Sequence, residues 1–252
     1  MARTVGFFTD VTLCIGCKAC EVACKEWNQL EGHAPQFRDS YDNTGQLDDQ
    51  NWRHVKFIEW DRPGQGVAWT MMSDVCKHCA LASCMEVCPT NAIIRTEFDT
   101  VYIQPDVCNG CRDCIAACPY HVIGYSEQTG VAQKCTFCYG RLQANLTPAC
   151  AKACPTQSIQ FGPIDELRAR ARRRVEQLHA RGVAGAYLYG DAPTAFYSEL
   201  NSFYLLVDRP SVYGLPDAPY NPWSRMKGDY ARAALAGLFA LLTLLAVFWG
   251  RT

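Results

Sequence analysis

The sequence predicts an α+β protein of paired cysteine-rich modules, closed by one membrane-spanning helix. Three observations carry that prediction. Sixteen cysteines among 252 residues fall into four quartets between Cys14 and Cys154. A short helix, turn and strand signal recurs after the later quartets. The run from Ala233 to Gly250 has no charged residue and as a helix spans about 27 Å, close to the hydrocarbon thickness of a bilayer. Composition narrows the rest. The 24 Lys and Arg balance 25 Asp and Glu, so the basic footprint of a nucleic-acid binder is missing. Hydrophobic residues at 49% against 19% charged exclude a disordered chain.

The elements follow in order. Val5, Phe7 and Phe8 open a first strand leading into Cys14. Met1 to Leu13 holds no apolar signal core, no small-residue cleavage site and no twin-arginine pair, so export, if it occurs, is expected to depend on another chain. The first quartet is Cys14, Cys17, Cys20 and Cys24; Lys25 follows where the later quartets begin a Pro-led turn. A linker of about fifty residues then runs through the polar stretch Asp39–Asp49. Within it Arg53–Trp60 alternates like a half-buried strand, and Val67–Met72 is expected to pair with it across Pro63-Gly64.

The second quartet is Cys76, Cys79, Cys84 and Cys88, the third Cys108, Cys111, Cys114 and Cys118, and the fourth Cys135, Cys138, Cys150 and Cys154. Pro89, Pro119 and Pro155 follow their last members. Cys88-Pro-Thr-Asn-Ala-Ile-Ile, Cys118-Pro-Tyr-His-Val-Ile-Gly and Cys154-Pro-Thr-Gln-Ser-Ile-Gln share one pattern: end of a helix, turn, short strand. Val101-Tyr-Ile is expected to return beside the first of these strands, and Gly130 to sit in a second hairpin turn.

Tight repeated triplets argue against disulfides, and zinc usually takes two separated pairs. A triplet plus a fourth Cys before Pro is the run of bacterial ferredoxins. Its first three thiolates hold one 4Fe–4S cluster and its fourth reaches the neighbouring one. The middle motifs pair naturally, giving Cys76, Cys79, Cys84 and Cys118 for one cluster and Cys88, Cys108, Cys111 and Cys114 for another. The outer motifs give Cys14, Cys17, Cys20 and Cys154, then Cys24, Cys135, Cys138 and Cys150. Four 4Fe–4S clusters in two ferredoxin-like modules are therefore expected, with all sixteen cysteines as iron ligands. The outer module takes 1–75 and 131–182, with 25–75 as a partner-facing insertion; the inner takes 76–130. Residues 183–230 are read as a partner-binding extension and 231–252 as the membrane anchor.

No nucleotide loop, nucleophile motif or flavin fingerprint appears, so no catalytic residue is expected. The histidines (His33, His54, His78, His121 and His179) are scattered. His78, between Cys76 and Cys79, either tunes a cluster or merely packs beside it; Lys77 and Lys134 either offset cluster charge or are solvated. Pro163 to about Arg181 reads as a helix with Pro and acids first and Gly182 after it; Leu167, Ala171, Val175 and Leu178 form its apolar stripe. The basic run of Arg168, Arg170 and Arg172–Arg174 is expected to face solvent or a partner. Arg232 and Arg251 flank the terminal span, with Tyr230 and Trp249 near its ends.

The four quartets, the single C-terminal span and the tail resemble the β subunit of membrane-bound formate dehydrogenase of the N/O type. Within the tail the resemblance rests on Phe161-Gly, Arg181-Gly, Ala186-Tyr-Leu-Tyr-Gly, Leu205-Leu-Val-Asp-Arg-Pro and Tyr213-Gly-Leu-Pro. The cysteine motifs alone are shared by electron-transfer subunits of many molybdopterin oxidoreductases, so a sulfoxide, polysulfide or tetrathionate reductase subunit is the alternative. The resemblance implies a molybdenum or tungsten bis-pterin (bisPGD) catalytic α subunit and a membrane cytochrome b γ subunit that reduces quinone. It implies that the Cys14/Cys17/Cys20/Cys154 cluster faces the former and the Cys88/Cys108/Cys111/Cys114 cluster the haem. It also implies an inner-membrane protein anchored in the lipid bilayer, its soluble part on the extracytoplasmic face. The positive-inside count opposes that side, since Arg225, Lys227 and Arg232 precede the span and only Arg251 follows.

Overall fold

The computed structural model describes residues 4–32, 40–62, 64, 66–194, 197–219 and 222–249, the side chains of 62, 222–227 and 245 excepted. His33, Asp39, Pro63, Gly250 and Arg251, and the side chains of Arg225 and Lys227, lie outside the described residues.

The centre is a four-stranded sheet. Its strands are β1 (Val5–Asp10), β8 (Ile159–Pro163), β9 (Tyr187–Tyr189) and β10 (Ser202–Leu206), in the order β8-β1-β10-β9. β1 runs antiparallel to β8 and parallel to β10, while β9 is antiparallel to β10. β1 and β10 are buried along their whole length. The alternation of side chains along β1 splits the interior. Val5 and Phe7 join a core that holds most of the cysteines. Phe8 faces a second core with α6 (Ile164–Ala180), where Leu167, Ala171 and Leu178 are buried and Val175 packs at the margin. Arg174 of the basic run turns inward, its Nε 2.8 Å from the buried Asp10 Oδ2.

Residues 183–230, expected as an extension, place β9 and β10 in the same sheet as β1. Leu205 and Leu206 belong to the core, next to β1, because their run is apolar on both faces.

The insertion forms a ten-on-ten hairpin of β2 (Arg53–Arg62) and β3 (Gly66–Val75), the pairing expected of these two segments. The middle motifs carry two small hairpins: β4 (Ile93–Arg95) with β5 (Val101–Ile103), and β6 (Gly124–Ser126) with β7 (Val131–Gln133). The second hairpin straddles the module boundary expected at 130.

The cysteine helices are α1 (Ala19–Asn28), α2 (Ser83–Glu86), α3 (Asp113–Ala117), α4 (Tyr139–Gln143) and α5 (Ala149–Ala153). α1 packs on α5 and α2 on α3. α3 and α5 stop one residue before Cys118 and Cys154, because the residue before a proline is driven out of the helical region. Lys25 imposes no such stop, and α1 runs on past Cys24 to Asn28. The last described element, α7 (Pro222–Trp249), contains the expected span as far as Trp249.

Candidate iron–sulfur sites

Each motif bends its backbone at the same place. The residue before the second cysteine has positive φ in all four: Gly16 at 68°, His78 at 43°, Gly110 at 72° and Phe137 at 59°. Glycine takes this conformation freely, whereas His and Phe carry a steric cost that their burial offsets. The Pro-led turns repeat as well. Asn91, His121 and Gln157, each three residues after a fourth cysteine, all have φ between 51° and 54°.

These bends and the helix pairs gather the thiols. One pocket is lined by Cys14, Cys17, Cys20 and Cys154. Another is lined by Cys76, Cys79, Cys84 and Cys118. In each, the fourth thiol comes from a different motif. The remaining eight divide the same way by mutual electrostatics: Cys24 faces Cys135, Cys150 and Cys138, and Cys114 faces Cys108, Cys111 and Cys88. Among the described residues no three His, Cys, Asp or Glu side chains converge tightly enough to chelate a single ion. A cubane offers four separate iron corners, so it asks for thiolates spread around a cage.

Burial pushes the thiols of Cys20, Cys79 and Cys135 up to about 12, and those of Cys114 and Cys138 up to about 11. Neighbouring cysteines add to the rise. Such thiols stay protonated at neutral pH unless a polycation takes the proton's place. Cys88 moves the other way. Burial opposes its ionisation, but the backbone N–H groups of Ile93, Thr90 and Ala92 and the Thr90 hydroxyl lower it.

The surroundings supply donors and positive charge. Lys77 and Lys134 are both buried. Lys77 Nζ donates to Asp74 Oδ1, to Val75 O at 2.8 Å and to the Tyr204 hydroxyl at 3.0 Å. Lys134 Nζ donates to the carbonyls of Val101 and Cys135. Tyr197 donates its hydroxyl to Cys79 Sγ at 3.2 Å, and the Phe137 amide donates to Cys135 Sγ at 3.3 Å. Ser73 Oγ lies 3.3 Å from Cys20 Sγ.

His78 is buried and accepts the Val101 N–H at Nδ1 over 3.1 Å, which puts its proton on Nε2. Burial, with Lys134, Arg95 and Arg53 nearby, keeps the ring neutral. Among the described residues Nε2 has no protein partner. His54 instead bonds Asp42, and His179 bonds the Ala186 carbonyl.

Arg53, Ser73, Asp74 and Tyr197 fall outside the cysteine motifs, and motif reasoning misses them. Arg53 has a signal: it shares the inward parity of Val55 in an alternating strand. Tyr197 has none, since it reaches Cys79 across 118 residues.

Two family models described as 4Fe–4S dicluster domains match the sequence, over residues 13–92 and 67–164. Between them they span all four motifs. The iron–sulfur subunit of the nitrate-inducible formate dehydrogenase of Escherichia coli is 36% identical over 237 residues, 92% of this protein and 79% of that one. The formate dehydrogenase iron–sulfur subunit of Haemophilus influenzae is 35% identical over 91% of this protein and 75% of its own length. One subunit of the anaerobic dimethyl sulfoxide reductase of E. coli is 39% identical over 67% of this protein and 78% of its own length.

Proposed function

The protein belongs to the iron–sulfur subunits of formate dehydrogenase, and from that premise we propose that it links a formate-oxidising catalytic subunit to a membrane cytochrome b through four 4Fe–4S clusters. As a member of that family it is an electron-transfer subunit with no catalytic centre of its own. The catalytic partner is a molybdenum or tungsten pterin protein.

The observation that carries the reading is the exchange of fourth cysteines between motifs. It supports Cys14/Cys17/Cys20/Cys154 and Cys24/Cys135/Cys138/Cys150 as the outer ligand sets. It supports Cys76/Cys79/Cys84/Cys118 and Cys88/Cys108/Cys111/Cys114 as the inner ones. When bound, such clusters supply one-electron carriers with potentials tuned by charge and hydrogen bonds to sulfur. The polypeptide's part is to hold them in sequence. Cys76 raises the pKa of Cys135 electrostatically, which supports a path between the outer and inner sets. Phe7, Phe137 and Val75 keep water from the junction.

Formate is favoured over a sulfoxide as the partner's substrate. The likeness to formate dehydrogenase subunits covers 92% of the sequence, against 67% for the sulfoxide reductase subunit, so it must reach well into the tail. Membrane attachment is assigned to Gly228–Trp249, a helix of mean hydropathy 2.1. The soluble part is placed on the extracytoplasmic face. A folded domain moved together with its partner is not threaded loop by loop, so the positive-inside count does not govern it.

The test is purification of the native complex under anaerobic conditions. About 16 iron and 16 sulfide are expected from each copy of this polypeptide, four of each per cluster, beyond the iron that the haem and the other subunits contribute, with quinone reduction dependent on formate. A fully loaded complex in which this polypeptide accounts for only about 8 iron and 8 sulfide overturns the cluster count, and one that ignores formate overturns the substrate. Protease added to intact spheroplasts is expected to digest the cluster domain; digestion only in inverted vesicles reverses the side.

A further inference from the structure

We propose that Arg53 is a hydrogen-bond donor and counter-charge shared by the two outer clusters, and that it makes both easier to reduce. The inference rests on the outer ligand sets proposed above. Arg53 opens β2 and is only 2% exposed. Its Nη1 donates to Ser73 Oγ at 3.0 Å. A guanidinium only donates, so the Ser73 hydroxyl keeps its own proton for Cys20 Sγ, 3.3 Å away. The guanidinium carbon lies 5.0 Å from the Phe7 ring centroid, which fixes its plane.

What remains is unsatisfied. Among the described residues, Nε and Nη2 are buried without a protein partner. Among the described residues no carboxylate pairs with Arg53. A buried guanidinium with no anion and with two of its three nitrogens lacking an acceptor is a costly arrangement, and it persists where the missing acceptor is a bound group. The groups that Arg53 influences most strongly are Cys150, Cys20, Cys135 and Tyr204, with Cys24, Cys138 and His78 also in its field. Cys20 belongs to one outer set; Cys135 and Cys150 belong to the other. The acceptors that fit both orphaned N–H groups are therefore the sulfurs of the two outer clusters.

The consequence is directional. A one-electron reduction adds one negative charge to a cluster. A fixed cation with N–H···S bonds stabilises the reduced form more than the oxidised one, which raises the potential. The relay through Ser73 extends this to Cys20. Lysine at 53 would keep the charge but lose the planar fork.

The experiment compares the intact complex with its Arg53→Gln and Arg53→Lys variants by potentiometric EPR, with iron and sulfide measured on each sample. In Arg53→Gln the reduced-to-oxidised ratio of both outer clusters at fixed potential is expected to fall about tenfold or more, about 59 mV for a one-electron couple. The inner clusters are expected to stay put, and Arg53→Lys to fall between. A fully loaded Arg53→Gln complex with unmoved outer potentials overturns the proposal, as does an equal shift of all clusters. If the variants fail to load, the native side chain decides. Pulsed EPR of complex labelled with ¹⁵N-arginine, on an Arg141→Lys background that removes the other arginine near Cys138, is expected to show ¹⁵N coupling to the reduced outer clusters. No coupling means that water or another acceptor takes these N–H groups, and the proposal falls. A low iron count in the unmodified complex is a failure of the cluster assignment instead.

Discussion

Phe7 and Phe137 stack face to face, with ring centroids 4.1 Å apart and 12° between their planes. One comes from the first strand of the protein, the other from between Cys135 and Cys138 of the last motif. The Arg53 guanidinium lies 5.0 Å from the Phe7 ring centroid, and His78 packs nearly perpendicular to Phe137 with centroids 4.8 Å apart. This column joins the first and last motifs to the middle pair without any cysteine taking part. It explains why Phe137 tolerates a positive φ: packing in a dry core outweighs a backbone cost of about 1–2 kcal/mol.

Phe137→Ala is therefore expected to cost about 3–5 kcal/mol, the range for emptying a fully buried aromatic site. The loss falls on the Cys135–Cys138 loop first. Thermal bleaching of the visible cluster absorbance is expected at lower temperature than in the native protein, with Phe137→Leu in between. Bleaching unchanged in Phe137→Ala means the column carries no weight.

Tyr197→Phe removes one O–H donor from Cys79 Sγ and leaves the ring in place. A hydrogen bond of this kind contributes about 1 kcal/mol net, or about 40 mV for a one-electron couple. The cluster held by Cys76, Cys79, Cys84 and Cys118 is expected to become harder to reduce by that order, the other three moving little. Redox titration of the loaded variant checks it; a uniform shift points to general loosening.

The residues that carry these effects differ in how visible they are in the sequence. Cysteine spacing is local, so the quartets, the Pro-led turns and both small hairpins are legible from the sequence. The β2–β3 hairpin is legible too, because alternation and a Gly-rich turn are short-range signals. The place of 183–230 in the central sheet is not. β10 lies parallel to β1 across almost the whole sequence, and no local pattern encodes a partner so distant. The buried state of Lys77 is hidden for the same reason: its anchors include Tyr204, 127 residues away.

Asp42 ties the insertion loop to β2 through His54 Nε2 at 2.7 Å. Partial burial opposes ionisation of its carboxyl, but the His54 bond and the Gly45 amide hold it below the ordinary 3.8. A carboxylate lowered on folding stabilises fully above its unfolded value, and that contribution disappears as pH falls through the lower folded value. Asp42→Asn is thus expected to lose about 0.5–1 kcal/mol at neutral pH, limited by solvent screening. The difference should narrow only below 3.8. Urea unfolding followed by tryptophan fluorescence across that range measures it.

Ending the polypeptide at Lys227 removes the apolar helix Gly228–Trp249. Its Leu235, Leu238, Phe239, Leu241 and Leu242 are exposed, so no core is lost with them. The shortened protein is expected in the soluble fraction after an alkaline wash, with its clusters loaded. Retention on washed membranes locates the attachment elsewhere.

Gly16 and Gly110 occupy the same position in the first and third motifs, with φ of 68° and 72°. Alanine at either pays the same left-handed cost, about 1–2 kcal/mol. What the new methyl group meets is different. At Gly16 it approaches Phe57 Cε1 at 2.7 Å, the edge of a ring able to tilt. At Gly110 it runs into the carbonyl oxygen of Gly130, which is backbone in the β6–β7 turn. That turn is closed by the Gly130 N–H bond to Ser126 O at 2.8 Å, so it yields only by breaking the hairpin. Gly16→Ala is therefore expected to load its clusters nearly fully. Gly110→Ala is expected to lose the cluster held by Cys88, Cys108, Cys111 and Cys114, seen as about four fewer irons per polypeptide and one missing EPR signal. Equal loading of the two variants would show that backbone strain alone, and not the closed turn behind Gly110, sets the cost.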